Sequence, residues 1–134
     1  MGGCEPPHYR FPMASHRNLK AWQHAKTLAV DCVVAARKFP PEDHGALAGQ
    51  LRRAAYSAAL NIAEGSGRKG ARDYRRFLVN SRASLDEVEA VLEIARDVGY
   101  LDLSTYARLE ARRDEAAKTL YGLIRAVEKR VPTG

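Results

Sequence analysis

Apolar residues recur along most of this chain at steps of three and four, which is the spacing of one face of an α-helix. The clearest series alternates steps of four and three without a break: Tyr74, Leu78, Ser81, Leu85, Val88, Leu92 and Ala95. Three further stretches carry a similar apolar face, around residues 19–39, 42–64 and 104–131. No segment alternates apolar and polar residues with a period of two, so the pattern predicts helices and no strands.

Proline and glycine predict where the first two helices end. The first helix is expected to begin near residues 18–19 and to stop before Pro40, because proline lacks the N–H that a helix needs. The second helix is expected over about residues 42–64. Gly65 follows it as a predicted left-handed cap, a position at which glycine is preferred.

The third and fourth helices have their own end signals. The third is predicted over about residues 71–98, with Gly99 in the position of a left-handed cap. Ser104 is the expected N-cap of the fourth helix, which ends before Pro132. Four helices of similar length joined by short connections predict an all-α, antiparallel up-down four-helix bundle over residues 18–131.

The segment NIAEGSGRKG at residues 61–70 carries glycines with the G-x-G-x-x-G spacing of a dinucleotide-binding loop. That loop needs a β-strand before it and a βαβ unit around it, whereas a helix precedes these glycines. A Walker loop needs Lys-Ser or Lys-Thr after the last glycine, and neither is present. The glycines are therefore interpreted as the end of one helix and the turn into the next.

Charge is unevenly distributed along the third predicted helix. Residues 66–82 hold six cations and one acid, whereas residues 83–103 hold six acids and one base. The helix dipole favours the opposite order, by ~0.3–1 kcal/mol for each well-placed charge. The functional interpretation is a patch that contacts nucleic-acid phosphates, and its candidate residues are Arg68, Lys69, Arg72, Arg75 and Arg76. The alternative is a solvated face whose charges pair with neighbouring helices.

A line of polar residues runs along the second predicted helix at steps of four, four and three: Arg53, Ser57, Asn61 and Glu64. Alanines flank this line, and small side chains allow another helix to approach closely. A hydrogen-bonded network between helices or between subunits is the favoured interpretation, with Gly65 belonging to the same architecture. The alternative is that the line forms a catalytic site, but it has no nucleophile beside a base.

Composition limits the other possibilities. The chain has 134 residues, a formal charge of +6 and 46% hydrophobic residues, which suits one helical domain. Residues 1–17 show no periodicity and are interpreted as a flexible tail without the apolar core of a signal peptide. No apolar stretch approaches the ~20 residues that span a bilayer. Two cysteines and four histidines lack metal-ligand spacing, so no metal or other cofactor is expected. The two cysteines do not suggest a disulfide framework, and together with the lack of signal-peptide and membrane features this predicts a cytoplasmic location.

Several motifs resemble one known family. QLRRAAYSAALNIAEGSGR and RDYRRFLVNSRASLDEVEAVLEIARDVGYL, preceded by Leu19, Trp22 and Gln23, are similar to the 23S rRNA-intervening sequence proteins, which are small bacterial four-helix-bundle proteins. The resemblance covers roughly residues 18–103. It implies a cytoplasmic, all-α protein that assembles as a homopentamer.

The resemblance also gives expectations about function. A related branch of the family, the accessory proteins of diversity-generating retroelements, binds a reverse transcriptase and nucleic acid through basic surfaces. The leading hypothesis is therefore a non-enzymatic, oligomeric protein that binds RNA or a ribonucleoprotein through its basic surface. The alternatives are a protein–protein adaptor, for example for a reverse transcriptase, and a small-molecule enzyme, for which the sequence offers no constellation of residues.

Overall fold

The computed structural model describes residues 15–133 of the chain. They form four α-helices: α1, Lys20–Ala36; α2, Leu47–Ser66; α3, Ala71–Asp97; and α4, Leu103–Glu128. No strand occurs within this described range, and the prediction of an all-α fold is confirmed. The predicted tail over residues 1–17 lies outside the described residues except for its last three, which belong to a short 3-10 helix, Ser15–Asn18.

The four helices pack around a single core. Each helix contacts its neighbours in sequence, and α1 also contacts α4, so the helices form a closed ring of four. The short connections make neighbouring helices antiparallel, as expected for the up-down bundle. The core is aliphatic and rich in alanine; fully buried side chains from the four helices include Leu28, Leu51, Leu85 and Leu120. Removing such apolar surface from water is the main stabilising contribution to a bundle of this kind.

The connection between α1 and α2 is longer than expected, because α2 begins at residue 47 and not near residue 42. A 3-10 turn, Pro41–Asp43, occupies the predicted first turn of α2. The side chain of His44 holds this connection, since its Nε2 lies 2.7 Å from the carbonyl oxygen of Phe39. Pro40 and Pro41 have no N–H to donate, and Gly45, which follows the turn, has a low helix propensity, so the helix begins after them.

The ends of α4 also differ from the prediction. Asp102, not Ser104, is the N-cap, and its carboxylate accepts a 2.7 Å hydrogen bond from the N–H of Thr105. This bond is the main reason that the pKa of Asp102 lies below its ordinary value. A carboxylate at this place is also favoured by the helix dipole, an advantage that a serine hydroxyl lacks. The helix ends at Glu128, four residues before Pro132.

The prediction that Gly65 is a left-handed cap is wrong. Helix α2 continues through Ser66, and Gly99 is the only residue with a positive φ in the described part of the chain, at +88°. Gly65 is required for a different reason: a Cβ at this position would lie 2.8 Å from the Cβ of Phe77 and 3.1 Å from the ring of Tyr74. The absence of a side chain therefore lets α2 and α3 approach closely at this level.

We expect Gly65→Ala to lower the free energy of unfolding by roughly 1–2 kcal/mol. The overpacking against the rigid Cβ of Phe77 costs about 1–3 kcal/mol, which outweighs a gain in helix propensity of at most about 1 kcal/mol. Gly122→Ala is the matched control, because a Cβ there meets nothing within 4 Å. Urea unfolding should show the control to be neutral or stabilising, and equal effects of both substitutions would contradict the packing argument.

Candidate nucleic-acid interface

The up-down topology brings the end of α2, the start of α3 and the end of α4 to the same end of the bundle. We call residues 64–82 together with residues 125–133 the basic end, since they hold nine cations and three acids. Two contacts attach the end of α4 to the start of α3. The Nη2 of Arg72 donates to the carbonyl oxygen of Pro132 at 3.4 Å, and the guanidinium of Arg130 lies 5.9 Å from the ring centre of Tyr74.

The opposite end of the bundle has no comparable charge. Residues 37–46 and 93–108, which form it, hold four cations and five acids. The +6 charge of the chain is thus concentrated at one end of the rod and not spread over its surface. Such a distribution attracts polyanions to that end and orients them before contact.

Two of the five predicted phosphate contacts, Arg68 and Arg76, are already engaged. Both guanidinium groups lie over the ring of Phe77, at 4.6 and 4.4 Å from its centre. Arg76 also donates two hydrogen bonds to Asp73, and Arg68 pairs with Glu64 and lies 3.7 Å from Asp73. Local acids therefore neutralise part of the charge of Arg68 and Arg76. The alternative interpretation, a solvated face of paired charges, expected such pairing for all five residues.

The other three predicted residues are more available to an anion. Lys69 and Arg75 make no ion pair or hydrogen bond with residues 15–133, and Arg72 uses one N–H on a main-chain carbonyl. Gly70 precedes α3 as its N-cap and has no side chain that could accept from the first-turn N–H groups. Unpaired cations next to open helix N–H groups form a surface that favours phosphate.

The structure adds residues that the sequence interpretation did not include. Lys129 and Arg130 are exposed and follow directly after α4, close to the start of α3. Residues 104–131 hold seven cations and four acids in mixed order, a basic bias that does not by itself single out these two residues. The signal that could have identified these residues was the up-down topology itself, since it requires the fourth helix to end where the third begins.

Other cations of α4 serve the packing of the bundle. Arg113 is 8% exposed and binds Glu110 on its own helix and, at 3.4 Å, Glu89 on α3. Arg112 and Arg108 both lie against the carboxylate of Asp31 on α1, at 2.5 and 3.6 Å. These pairs join α4 to its two neighbouring helices, so they are not available to a ligand.

The polar line on α2 is split by the structure into three parts. Ser57 and Asn61 form one network, in which Asn61 donates to the carbonyl oxygen and hydroxyl of Ser57, and Ser84 of α3 donates to the same hydroxyl at 2.8 Å. Glu64 belongs to the basic end through Arg68. Arg53 is exposed and makes no hydrogen bond or ion pair with the described residues.

The Ser57 network has no catalytic arrangement. Its members are two hydroxyls and an amide, and none of them is a base that could activate a nucleophile. Cys32, which lies in the core, is also unreactive, because burial is the main cause that raises the pKa of its thiol to about 12. No group of three His, Cys, Asp or Glu side chains in residues 15–133 is placed to hold a metal ion.

A comparison with protein families agrees with the fold and the motifs. The sequence pattern of the 23S rRNA-intervening sequence proteins matches residues 17–122, which include α1, α2, α3 and most of α4. The chain belongs to this family. The match to the 23S rRNA-intervening sequence proteins includes the five predicted phosphate contacts and ends before Lys129 and Arg130.

No curated protein sequence matches the chain. Within the helices of residues 15–133, none combines the length and the apolar character needed to cross a membrane.

We expect Ser57→Ala to lower the free energy of unfolding by about 1 kcal/mol. The substitution removes the hydroxyl shared by Asn61 and Ser84, so the half-buried Ser84 hydroxyl loses its acceptor and Asn61 keeps only its hydrogen bond to the carbonyl oxygen of residue 57. Ser104→Ala, in the exposed first turn of α4, is the control and should change stability little. Equal urea-unfolding midpoints for the two variants would show that the network does not join the helices.

Proposed function

We propose that this protein is a non-enzymatic, oligomeric four-helix bundle of the cytoplasm that binds structured RNA, alone or in a ribonucleoprotein, through its basic end. The observation that carries the proposal is the excess of nine cations over three acids in the basic end, which the end of α2, the first half of α3 and the end of α4 form together. Each phosphate that a lysine or arginine neutralises releases condensed counterions, which is the main source of sequence-independent affinity for nucleic acid.

The side chains of the basic end favour recognition of phosphates over recognition of bases. Its two aromatic residues are not available for stacking on unpaired bases, because Tyr74 is buried and Phe77 is covered by Arg68 and Arg76. Single-strand binders usually rely on such stacking. We therefore expect a preference for helical RNA, with contacts to its backbone and little dependence on base sequence.

Oligomerisation would strengthen this binding. A homopentamer, which the family resemblance implies, presents five basic ends to one RNA. Linked weak sites give an avidity that exceeds the affinity of each site by ~10²–10⁴, provided that they reach the RNA together. A bundle of 14.8 kDa with a modest charge excess thereby becomes an effective RNA-binding particle.

We expect the double substitution Lys69→Glu and Arg75→Glu to weaken RNA binding strongly. Both cations are unpaired, so their reversal removes phosphate contacts without breaking an ion pair of the bundle. The slope of log K against log salt should become shallower by about two, one unit for each lost contact. Filter binding with a structured RNA at several salt concentrations measures both quantities.

The control for this experiment is Lys38→Glu together with Lys118→Glu, which makes the same charge change away from the basic end. Its one broken ion pair, Lys118–Asp114, is exposed and contributes little to stability. This control should keep most of the affinity and the wild-type slope. Equal losses in both variants would mean that only net charge matters. Absence of binding by the wild-type protein at low salt would rule out the proposal.

A protein–protein adaptor is the second candidate, with a reverse transcriptase as one class of partner. It is favoured by large apolar side chains on α4 that face solvent, since Leu103 is 74% and Tyr121 57% exposed. Capture of partners from a native lysate before and after nuclease treatment separates the two functions. An adaptor keeps its partner after the treatment, whereas a protein that is bridged by RNA loses it.

A further inference from the structure

A groove of about 450 Å³ runs along the outer side of the bundle between α1 and α2. Its most exposed lining residues are large and apolar: Val30, Val34, Tyr56 and Leu60 are 46–61% exposed. A continuous apolar surface of this kind on a small bundle marks an interaction site, because exposure of its side chains to water is unfavourable.

The charged residues of the groove all have the same sign. Lys26 and Arg37 are the only charged side chains among its lining residues, and no acid is present there. A partner that fits this groove should therefore carry an apolar ridge beside carboxylates.

The outer face of α3 has these properties. Four small or apolar side chains on it are exposed, namely Ala83, Ala90, Ile94 and Val98. Four exposed acids accompany them: Asp86, Glu87, Glu93 and Asp97, of which Asp97 is paired with Arg96 of its own helix. We call these eight residues the α3 ridge. Ile94 and Val98 are 50% and 54% exposed, although both are large hydrophobic residues.

The dimensions of the two surfaces also agree. The groove extends along α1 from Trp22 to Arg37, and the ridge extends along α3 from Ala83 to Val98. Each covers fifteen residue steps, or about 22 Å of helix at 1.5 Å per residue. The alanines of the ridge permit close approach of a helix backbone to the groove, and the larger Ile94 and Val98 supply side chains that can fill it.

We propose that the groove between α1 and α2 binds the α3 ridge of a second copy of this chain. The contact is head-to-tail, because the two surfaces are different. After two copies have bound, one copy still has a free groove and the other a free α3 ridge. Repetition of such a contact closes a ring when the rotation between copies allows it. This inference rests on the oligomeric part of the proposed function and identifies the surfaces that form the assembly.

Two single substitutions test the contact. Leu60→Glu places a carboxylate in the groove, and Ile94→Glu places one on the ridge; a buried carboxylate without a partner is strongly unfavourable. Both positions are at least half exposed in the single chain, so the bundle itself should fold, and circular dichroism checks this. Val30→Glu and Val98→Glu are replacements if either variant is unfolded.

Light scattering after size-exclusion chromatography gives the decisive readout. The wild type is expected to be oligomeric and each variant monomeric. An equimolar mixture of the two variants should form a dimer of twice 14.8 kDa, because an intact ridge on one copy meets an intact groove on the other. Leu103→Glu, outside both surfaces, should remain oligomeric as the wild type is.

Three results would overturn the inference: a variant that keeps the wild-type mass, a mixture that stays monomeric, or a wild type that is itself monomeric. A variant that keeps the wild-type mass would mean that the oligomer uses other surfaces, and a mixture that stays monomeric would mean that the groove and the ridge do not bind each other. A monomeric wild type would also remove the oligomeric part of the proposed function. RNA binding is judged separately by the salt titration, since neither substitution touches the basic end.

Discussion

The close approach of α2 to α3 is the contact on which the rest of the molecule depends. Gly65 allows the backbone of α2 to lie against Phe77 and Tyr74, and the hydroxyl of buried Ser81 donates to the carbonyl oxygen of Ala58 at 2.6 Å. Alanines fill the space between these points. A larger side chain at residue 65 would separate the helices and move the loop that carries Arg68 and Lys69. The packing of the core thus sets the position of the charges.

The charge pattern of α3 is electrostatically unfavourable for the helix itself. Its cations lie near the positive end of the helix dipole and its acids near the negative end, so both groups are placed against the dipole. Part of the cost is offset locally, since Asp73 lies between Arg68 and Arg76 and Glu89 binds Arg113. The rest remains at unpaired cations, namely half-buried Arg75 and exposed Lys69 just before the helix, and these are the positions where a ligand of opposite charge gains most.

The sequence was sufficient to predict the fold, because the unbroken apolar periodicity of α3 defines a single buried face, and that face can only pack against the other helices. The role of Gly65 could not be predicted from the sequence. A left-handed helix cap and a close helix–helix contact both favour glycine, and only the position of α3 distinguishes the two. Asp102 and Ser104 are both good N-caps, so the choice between them depended on the path of the chain after Gly99.

The candidate site was predictable to a smaller extent. Arg72 and Arg75 were identified from a local run of cations, but local spacing does not show which cations are paired. Asp73 lies next to Arg72 in sequence, yet its partners in space are Arg68 and Arg76. Lys129 lies more than fifty residues away from this run, and only the assembled bundle brings it to the same end.

The position of Asp73 has a consequence for how a polyanion would bind. Its carboxylate, with that of Glu64, occupies guanidinium groups in the free protein much as a phosphate would. Arrival of RNA at these two arginines would be an exchange of one anion for another, with few small ions set free. Release of counterions from the RNA would then be caused chiefly by the unpaired cations. The number of counterions released would be smaller than the nine cations alone suggest.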